Sequence, residues 1–418
     1  MHRRLLIIGS GGAAVSAAKA ARLSGHEGEI SLVSDADEGA FNPMLAPYYL
    51  KGHIPWEGCF PFGPDFYRAY DITCSFGVPV ESLDAVNQAV MLAGGERLSY
   101  DRCLIATGAS PVIPPIPGLK NSPRAFVLRT AASVRSLERI ISTSKRAVVL
   151  GASFVGLKVA EILKKRGMEV ILLDVVDQVL PHGAHPQAAA LLKTYFEEKG
   201  VEVRLDCTME GMEGARKGVV CRFSDSIIEE ADFLVVCTGV RPNIDFVNPD
   251  QVDLDQAILV DEQMRTSAPN LYAAGDVSQG ANLLSGRREC FGTWQSACLQ
   301  GRTAGQNMAG REASYYGSIQ ENISPFFEWT YAQIGETRAE GGDKGHVTFG
   351  DPRERGYGLL TFEEDVLIGA NLINCTRFAG LLRRAVIQKT HCDNRQDRIN
   401  YLLTEHDVIP YVCCHEKR

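Results

Sequence analysis

Two glycine-rich turns in this chain have the residue types and spacing to hold phosphate groups. The first, Gly9-Ser10-Gly11-Gly12-Ala13-Ala14, follows four apolar residues, Leu5 to Ile8. A short unbroken apolar run before such a turn is expected to be a buried parallel strand. In a GxGxxA pattern Gly9 permits the tight turn, Gly11 lets a pyrophosphate approach the backbone, and Ala14 lets helix and strand pack closely. The N-terminus of the Ala-rich helix that follows, running to about Leu23, faces the phosphates. The next expected strand, Glu29 to Val33, leads into Ser34-Asp35. A carboxylate there can accept hydrogen bonds from both ribose hydroxyls, so Asp35 is the candidate.

The pattern recurs. Ala147 to Leu150 reads as a strand, Gly151-Ala152-Ser153-Phe154-Val155-Gly156 as the turn, Leu157 to Lys165 as a helix, and Glu169 to Leu173 as the next strand, ending in Asp174. Ser153 replaces the middle glycine and is still small enough for a phosphate to approach. Asp174 stands where the ribose acid belongs. Its charge would repel the extra phosphate of NADP, and no Arg or Lys follows at once, so the pattern favours NAD. Two dinucleotide units in one chain imply two nucleotides or a degenerate duplication.

Later motifs separate those cases. Asp101 to Ile105 runs into Ala106-Thr107-Gly108-Ala109, and Phe233 to Cys237 runs into Thr238-Gly239-Val240-Arg241-Pro242-Asn243. Both are strands entering small-residue turns. Leu271-Tyr272-Ala273-Ala274-Gly275-Asp276 is a strand that ends in Gly-Asp. One carboxylate, Asp276, is then aimed at a polyol such as the ribityl chain of a flavin. Trp294, Ala297, Gln300-Gly301 and Ala304 follow at helical spacing, and the N-terminus of that helix could address the pyrimidine edge of the flavin ring.

The ordered set GSGGAA, ATGA, GASFVG, TGVRPN, AAGD and WQSACLQG resembles the pyridine nucleotide–disulfide oxidoreductase superfamily over nearly all of residues 1 to 310. The resemblance implies an α/β protein with two Rossmann-like domains, the NAD domain inserted into the FAD domain, and a C-terminal α+β interface domain. It implies FAD segments at 1–118 and 246–312, an NAD segment at 119–245 and the interface domain at 313–418. Pro111, Pro114, Pro115 and Pro117-Gly118 give a stiff linker at the first crossing. The stretch Phe327 to Gly335 looks like the first strand of the interface domain. The paired aromatics Phe326-Phe327, Trp329 and Tyr331 fit either an interface or a core. The resemblance also gives Val80 backbone contacts to the adenine, sets Asn42-Pro43 beside the flavin, and puts Arg129 near both nucleotides.

Disulfide reductases of this superfamily use CxxxxC early in the first domain, and no such pair occurs here. Single-thiol members use a stretch like SPCALPYY. The matching stretch, Phe41-Asn42-Pro43-Met44-Leu45-Ala46-Pro47-Tyr48-Tyr49-Leu50, has Met44 in place of the cysteine. A thioether forms neither a thiolate nor a mixed disulfide. Cys59 and Cys74 follow, and packed core thiols are the simpler reading of both. Without a thiol relay, electrons pass directly between flavin and a second carrier. No general acid or base is in evidence, so no catalytic side chain is named. Lys158 replaces the Glu often found in the family near the nicotinamide, and its charge could favour a reduced, anionic flavin.

The stretch Asn42 to Tyr49, with Gly52-His53-Ile54-Pro55-Trp56-Glu57-Gly58, looks most like NADH:acceptor subunits attached to iron–sulfur enzymes. It resembles the flavoprotein subunits of phenylglyoxylate:NAD oxidoreductases, 2-oxoacid enzymes that form an acyl-CoA. The implied partner is an iron–sulfur protein or the other subunits of such a complex. A stand-alone ferredoxin or rubredoxin reductase, an NADH oxidase and a non-enzymatic redox sensor stay open, as does a homodimer.

Composition sets the outer bounds. The chain has 418 residues, 45% hydrophobic and 22% charged, with a formal net charge of −8, which disfavours nucleic acid as a partner. No apolar run reaches the ~20 residues of a membrane span. The 12 cysteines show no zinc-like or iron–sulfur spacing, and a reducing cytoplasm is the simplest compartment. The terminal Cys413-Cys414-His415 reads as a frayed tail rather than a metal site.

Overall fold

The structure is a computed structural model that describes residues 3–224, 226–338, 344–354 and 356–392. Strands and helices alternate along most of it, as in an α/β protein, and the chain divides into two compact units. The first comprises the chain through Ile113 with Phe126–Thr143 and Gly239–Ser318. The second comprises Pro114–Ala125, Ser144–Thr238 and the chain from Ile319 on.

In the first unit a five-stranded sheet runs in the order Leu271–Ala273, Arg102–Ile105, Leu5–Ile8, Ile30–Val33, Thr73–Ser75. All four pairings are parallel. Leu5 to Ile8 are each at most 3% exposed, which is why the strand is apolar at every position rather than at alternate ones. The helix Gly12–Leu23 follows the Gly9 turn and buries Ala13, Ala14, Ala17, Ala18 and Ala21.

Against it lies the helix Trp294–Met308, and small residues decide how close the two come. A Cβ on Gly301 would collide with the Ala13 carbonyl, and one on Gly305 with the Ala17 carbonyl. The two glycines, one helical turn apart, therefore set the spacing of the helices. The segment Phe126–Thr143 lies within the stretch expected for the inserted nucleotide domain, yet it clusters with this unit. The bonds responsible include Tyr49 Oη donating to Glu138 at 2.5 Å and Arg129 pairing with Asp276.

The second unit holds a parallel sheet whose order includes Glu202–Arg204, Glu169–Leu173, Arg146–Leu150 and Phe233–Val236. The helix Phe154–Lys165 connects two of these strands, and Ser153 caps it, so it starts three residues before the expected Leu157. A five-stranded antiparallel sheet follows, in the order Glu321–Phe326, Trp329–Gly335, Val366–Ile373, Gly356–Glu363, Lys344–Asp351. The helix Ala379–Ile387 packs on it.

The expectation that Phe327 to Gly335 forms the first of these strands is corrected, because Glu321–Phe326 precedes it. The turn between them lies at Phe327, in the left-handed region at φ 51°. No Gly, Asn or Pro marks it, so the aromatic run hides it in the sequence. The aromatics there are core residues: Phe326 and Tyr331 are fully buried, and Trp329 stacks on Tyr195 with centroids 3.8 Å apart. The Cys413-Cys414-His415 tail lies outside the described residues. No helix among the described residues is long and apolar enough to cross a membrane.

The helix contact yields a direct test. Gly301→Val should destabilise the protein by about 3 kcal/mol, the upper range for overpacking a tight contact. Urea unfolding followed by circular dichroism would measure it, and an unchanged midpoint would contradict the packing described.

Candidate functional site

The carboxyl ends of the parallel strands in the first unit open onto a cavity of about 420 Å³. This is where open α/β sheets bind their ligands. Gly9, Gly11, Gly12 and Ala13 line it at the helix N-terminus. Gly9 has φ 110°, and a Cβ there would collide with the Ala106 carbonyl, so only glycine makes this turn. A Cβ on Gly11 would meet nothing within 4 Å. Gly11 is also the N-cap and offers no side chain to the helix amides. The amides thus face open space, as an anion-binding helix N-terminus requires. Ala14 is fully buried behind them.

Asp35, Pro43, Thr107, Gly108, Ala109, Arg129, Gly275 and Asp276 line the same cavity. A neighbouring cavity of about 300 Å³ shares Gly9, Asp35 and Thr107 with it and is bounded by Val80. Asn42 does not line either. It is buried, and its Oδ1 accepts from the Met44 amide at 3.0 Å, so it shapes the loop that presents Pro43 and Met44. Gly239, at φ 108°, turns the chain so that its carbonyl accepts from the Val112 amide at 3.0 Å.

Arg129 Nη2 pairs with Asp276 Oδ2 at 2.6 Å, and its Nε donates to the Ala109 carbonyl at 3.0 Å. Both partners line the cavity, and the side chains are only 24% and 15% exposed, so this pair is shielded better than a surface bridge.

Two residues that sequence reasoning left unassigned hold this wall in shape. Asn243 Nδ2 donates to the Thr107 carbonyl at 2.9 Å, while its own carbonyl accepts from Thr107 Oγ1 at 2.8 Å. Asn243 ends the TGVRPN motif, but nothing in that local pattern shows that it reaches back to the ATGA turn. Gln300, 1% exposed, accepts the Gly275 amide on Oε1 at 2.7 Å and so fixes the turn that carries Asp276. Arg135 also lines the cavity, paired with Glu38 at 2.9 Å and stacked 4.5 Å over Trp56.

Met44 is on the cavity wall and 47% exposed. Cys59 is fully buried, and burial pushes its thiol up from the ordinary value. Burial also pushes Cys74 up to about 11, and Cys290 to about 11 with help from the nearby Asp276, Asp255 and Glu289 charges.

In the second unit the turn at Gly151 repeats the arrangement. Gly151 has φ 107°, and a Cβ there would come within 2.6 Å of the Cys237 carbonyl oxygen. Ser153 Oγ donates to that same oxygen at 2.9 Å and accepts from the Gly156 amide at 3.3 Å. The serine hydroxyl therefore turns inward and caps the helix. Gly156 cannot carry a side chain, because a Cβ would collide with the Gly151 carbonyl. Asp174 Oδ2 accepts from the Ala152 amide at 2.6 Å, tying the acid to the turn. Val155 is 43% exposed, while Phe154 packs towards Phe326 and Tyr331.

Lys158 Nζ pairs with Glu161 at 2.9 Å and lies 4.7 Å over the Phe326 ring, and Glu161 is fully buried. A buried carboxylate needs a cation, and Glu161 has two, since Lys165 Nζ also pairs with it at 3.1 Å.

The pyridine nucleotide-disulphide oxidoreductase family matches residues 3–301. The chain belongs to that family. It is an oxidoreductase, and its cofactors are FAD and NAD(H). The open helix N-terminus at Gly11 and the repeated turn at Gly151 fit two such dinucleotides. The chain is 32% identical to the NADH-dependent phenylglyoxylate dehydrogenase subunit epsilon of Aromatoleum evansii, over 93% of this chain and 92% of that one. It is 33% identical to an NADH oxidase of Methanocaldococcus jannaschii, over 77% and 73% respectively. The reductase in a covalent putidaredoxin reductase–putidaredoxin complex superposes with a TM-score of 0.87 at 26% identity, covering 93% of this chain and 94% of that one.

Two outcomes follow from this geometry. Asn243→Ala removes one half-buried hydrogen bond worth about 1 kcal/mol, so FAD should bind about fivefold more weakly by equilibrium dialysis. An unchanged affinity would show that Asn243 does not support the cavity wall. Cys74, a neutral thiol until the pH approaches 11, should alkylate slowly with iodoacetamide at pH 7 and faster as the pH rises. Rapid labelling at pH 7 in a mass-spectrometric time course would contradict this.

Proposed function

We propose that this chain exchanges electrons between NAD(H) and an iron–sulfur partner through FAD, with no redox-active cysteine. We further propose that it does so as the cytoplasmic flavoprotein subunit of a 2-oxoacid:NAD oxidoreductase that forms an acyl-CoA. The observation that carries the reading is Met44 on the wall of the cavity. It occupies the position that single-thiol relatives give to cysteine, and the thiols of Cys59 and Cys74 are held protonated. Likeness to the phenylglyoxylate dehydrogenase subunit along nearly the whole chain supports the complex, and likeness to putidaredoxin reductase supports an iron–sulfur acceptor.

In this reading residues 1–118 and 246–312 form the FAD domain, 119–245 the NAD domain and 313–418 the interface domain. Bound FAD supplies the conversion between hydride and single-electron transfer. The amides at Gly11, Gly12 and Ala13 bind its pyrophosphate, Asp35 its ribose and the Val80 backbone its adenine. Thr107, Gly108 and Ala109 form the wall opposite the glycine turn, beside the loop of Asn42 and Pro43. Asp276, oriented by Arg129, accepts from the polyol. On the nicotinamide side the turn of Gly151, Ser153, Phe154, Val155 and Gly156 receives the pyrophosphate. Asp174 accepts from the ribose hydroxyls and repels a 2′-phosphate, and Gly239 keeps the adjoining turn free of side chains. The relative from Methanocaldococcus jannaschii favours a second reading, an NADH oxidase that delivers the electrons to oxygen.

The purified FAD-loaded protein, bleached anaerobically with NADH, should be reoxidised rapidly by an iron–sulfur acceptor and slowly by oxygen. Fast reoxidation by oxygen with no response to the iron–sulfur acceptor would favour the oxidase. Asp174→Ala should lower the preference for NADH over NADPH by about tenfold, the weight of one charge–phosphate repulsion. An unaltered ratio of bleaching rates would remove Asp174 from cofactor selection.

A further inference from the structure

Asn371 is the only polar residue in the strand Val366–Ile373, and it is fully buried. A buried amide of this kind is held by specific partners. Its Oδ1 accepts from the His185 amide at 2.8 Å, and its Nδ2 donates to Tyr331 Oη at 2.7 Å. Tyr331, equally buried on the neighbouring strand, donates its hydroxyl to the Gly183 carbonyl at 2.6 Å. Two residues of the antiparallel sheet thus hold one segment, Leu180 to His185. That segment bears on the nucleotide turn of its own unit. The Leu180 amide donates to the Ala152 carbonyl at 2.8 Å, while the amide of Ala152 is the one tied to Asp174. A Cβ on Gly183 would come within 2.6 Å of the Phe154 ring and 2.8 Å of Gln333 Oε1. Gly183 therefore fits between turn and sheet without moving Phe154, whose ring centroid lies 6.0 Å from that of Tyr331.

We propose that Asn371 and Tyr331 are positioning residues for the nicotinamide dinucleotide. Through Leu180 to His185 they set the turn from Gly151 to Gly156 in the conformation that receives a pyrophosphate. They act through that segment and not by touching the nucleotide. Removing either leaves buried backbone groups at Gly183 or His185 without their partners, a cost the segment escapes only by shifting. Such a shift loosens its hold on Ala152 and Phe154. A supporting residue that locks a binding residue in place is as much a part of a site as the residue it supports. The antiparallel sheet thereby gains a role in nucleotide affinity. The consequence for affinity rests on the proposed binding of NAD(H) at this turn, whereas the hold of the sheet on the turn does not.

Hydrogen exchange of the FAD-loaded protein, without nucleotide, is compared with that of Asn371→Leu, Tyr331→Phe and Leu360→Val. Leu360, buried on the opposite face of the same sheet, is the control. Amides from Ala152 to Gly156 should exchange about tenfold faster in Asn371→Leu, as local opening becomes easier. Tyr331→Phe keeps the ring and should show a smaller rise, and it keeps the test open should Asn371→Leu fail to fold. Unchanged exchange in both, or an equal rise in Leu360→Val, would overturn the positioning role. Binding of NAD+ to the oxidised protein is then measured by calorimetry. It should weaken about tenfold in Asn371→Leu, with FAD content and Leu360→Val unaffected. Equal NAD+ affinity in wild type and variants would overturn the inference. A wild type that binds no NAD+ would instead sink the nucleotide reading of the turn, and the exchange result would still decide whether the sheet holds it.

Discussion

The contact on which the site depends is the approach of Gly9 to the Ala106 carbonyl, too close for any side chain. It joins the ends of two adjacent parallel strands, Leu5–Ile8 and Arg102–Ile105, at the mouth of the cavity. It also starts the helix that aims its amides there. The nucleotide turn of the second unit repeats the constraint with Gly151 and the Cys237 carbonyl. In both units a glycine in the left-handed region is followed by a small N-cap at the start of a helix. The two N-caps differ in kind: Gly11 leaves the helix amides to a ligand, whereas Ser153 satisfies one with its own hydroxyl.

Around the first turn, polar side chains define what the cavity can hold. The Arg129–Asp276 pair keeps the carboxylate oriented, Gln300 holds the turn beneath it, and Asn243 ties the opposite wall. These contacts are made within the protein, so a ligand entering the cavity would meet a wall already in position. The loop at Asn42 contributes differently. Its side chain supports the backbone and leaves Met44, not a thiol, as the sulfur on the wall.

Much of this was legible in the sequence. The strands at Leu5, Ala147 and Leu271 and the helices after Gly12 and Gly151 are written in apolar runs and glycine spacing, which local physics enforces. Asp35, Thr107 and Asp276 could be named because they end strands. What escaped were long-range partnerships. Asn243 bonds to Thr107, 136 positions away, and Gln300 to Gly275, 25 away, and no local pattern records such pairs. The hairpin at Phe327 escaped because a phenylalanine adopts the turn conformation normally signalled by glycine or asparagine. The pairing of Lys158 with Glu161, one helical turn on, also escaped, although the spacing allows it.

The central claim is that electrons enter the flavin with no thiol couple beside it, and counting electrons tests it most directly. Anaerobic titration of the FAD-loaded protein with NADH, followed by flavin absorbance, should end at one equivalent per FAD, with no long-wavelength thiolate–flavin band. A requirement for a second equivalent, or the appearance of such a band, would reveal a redox-active thiol and contradict the account.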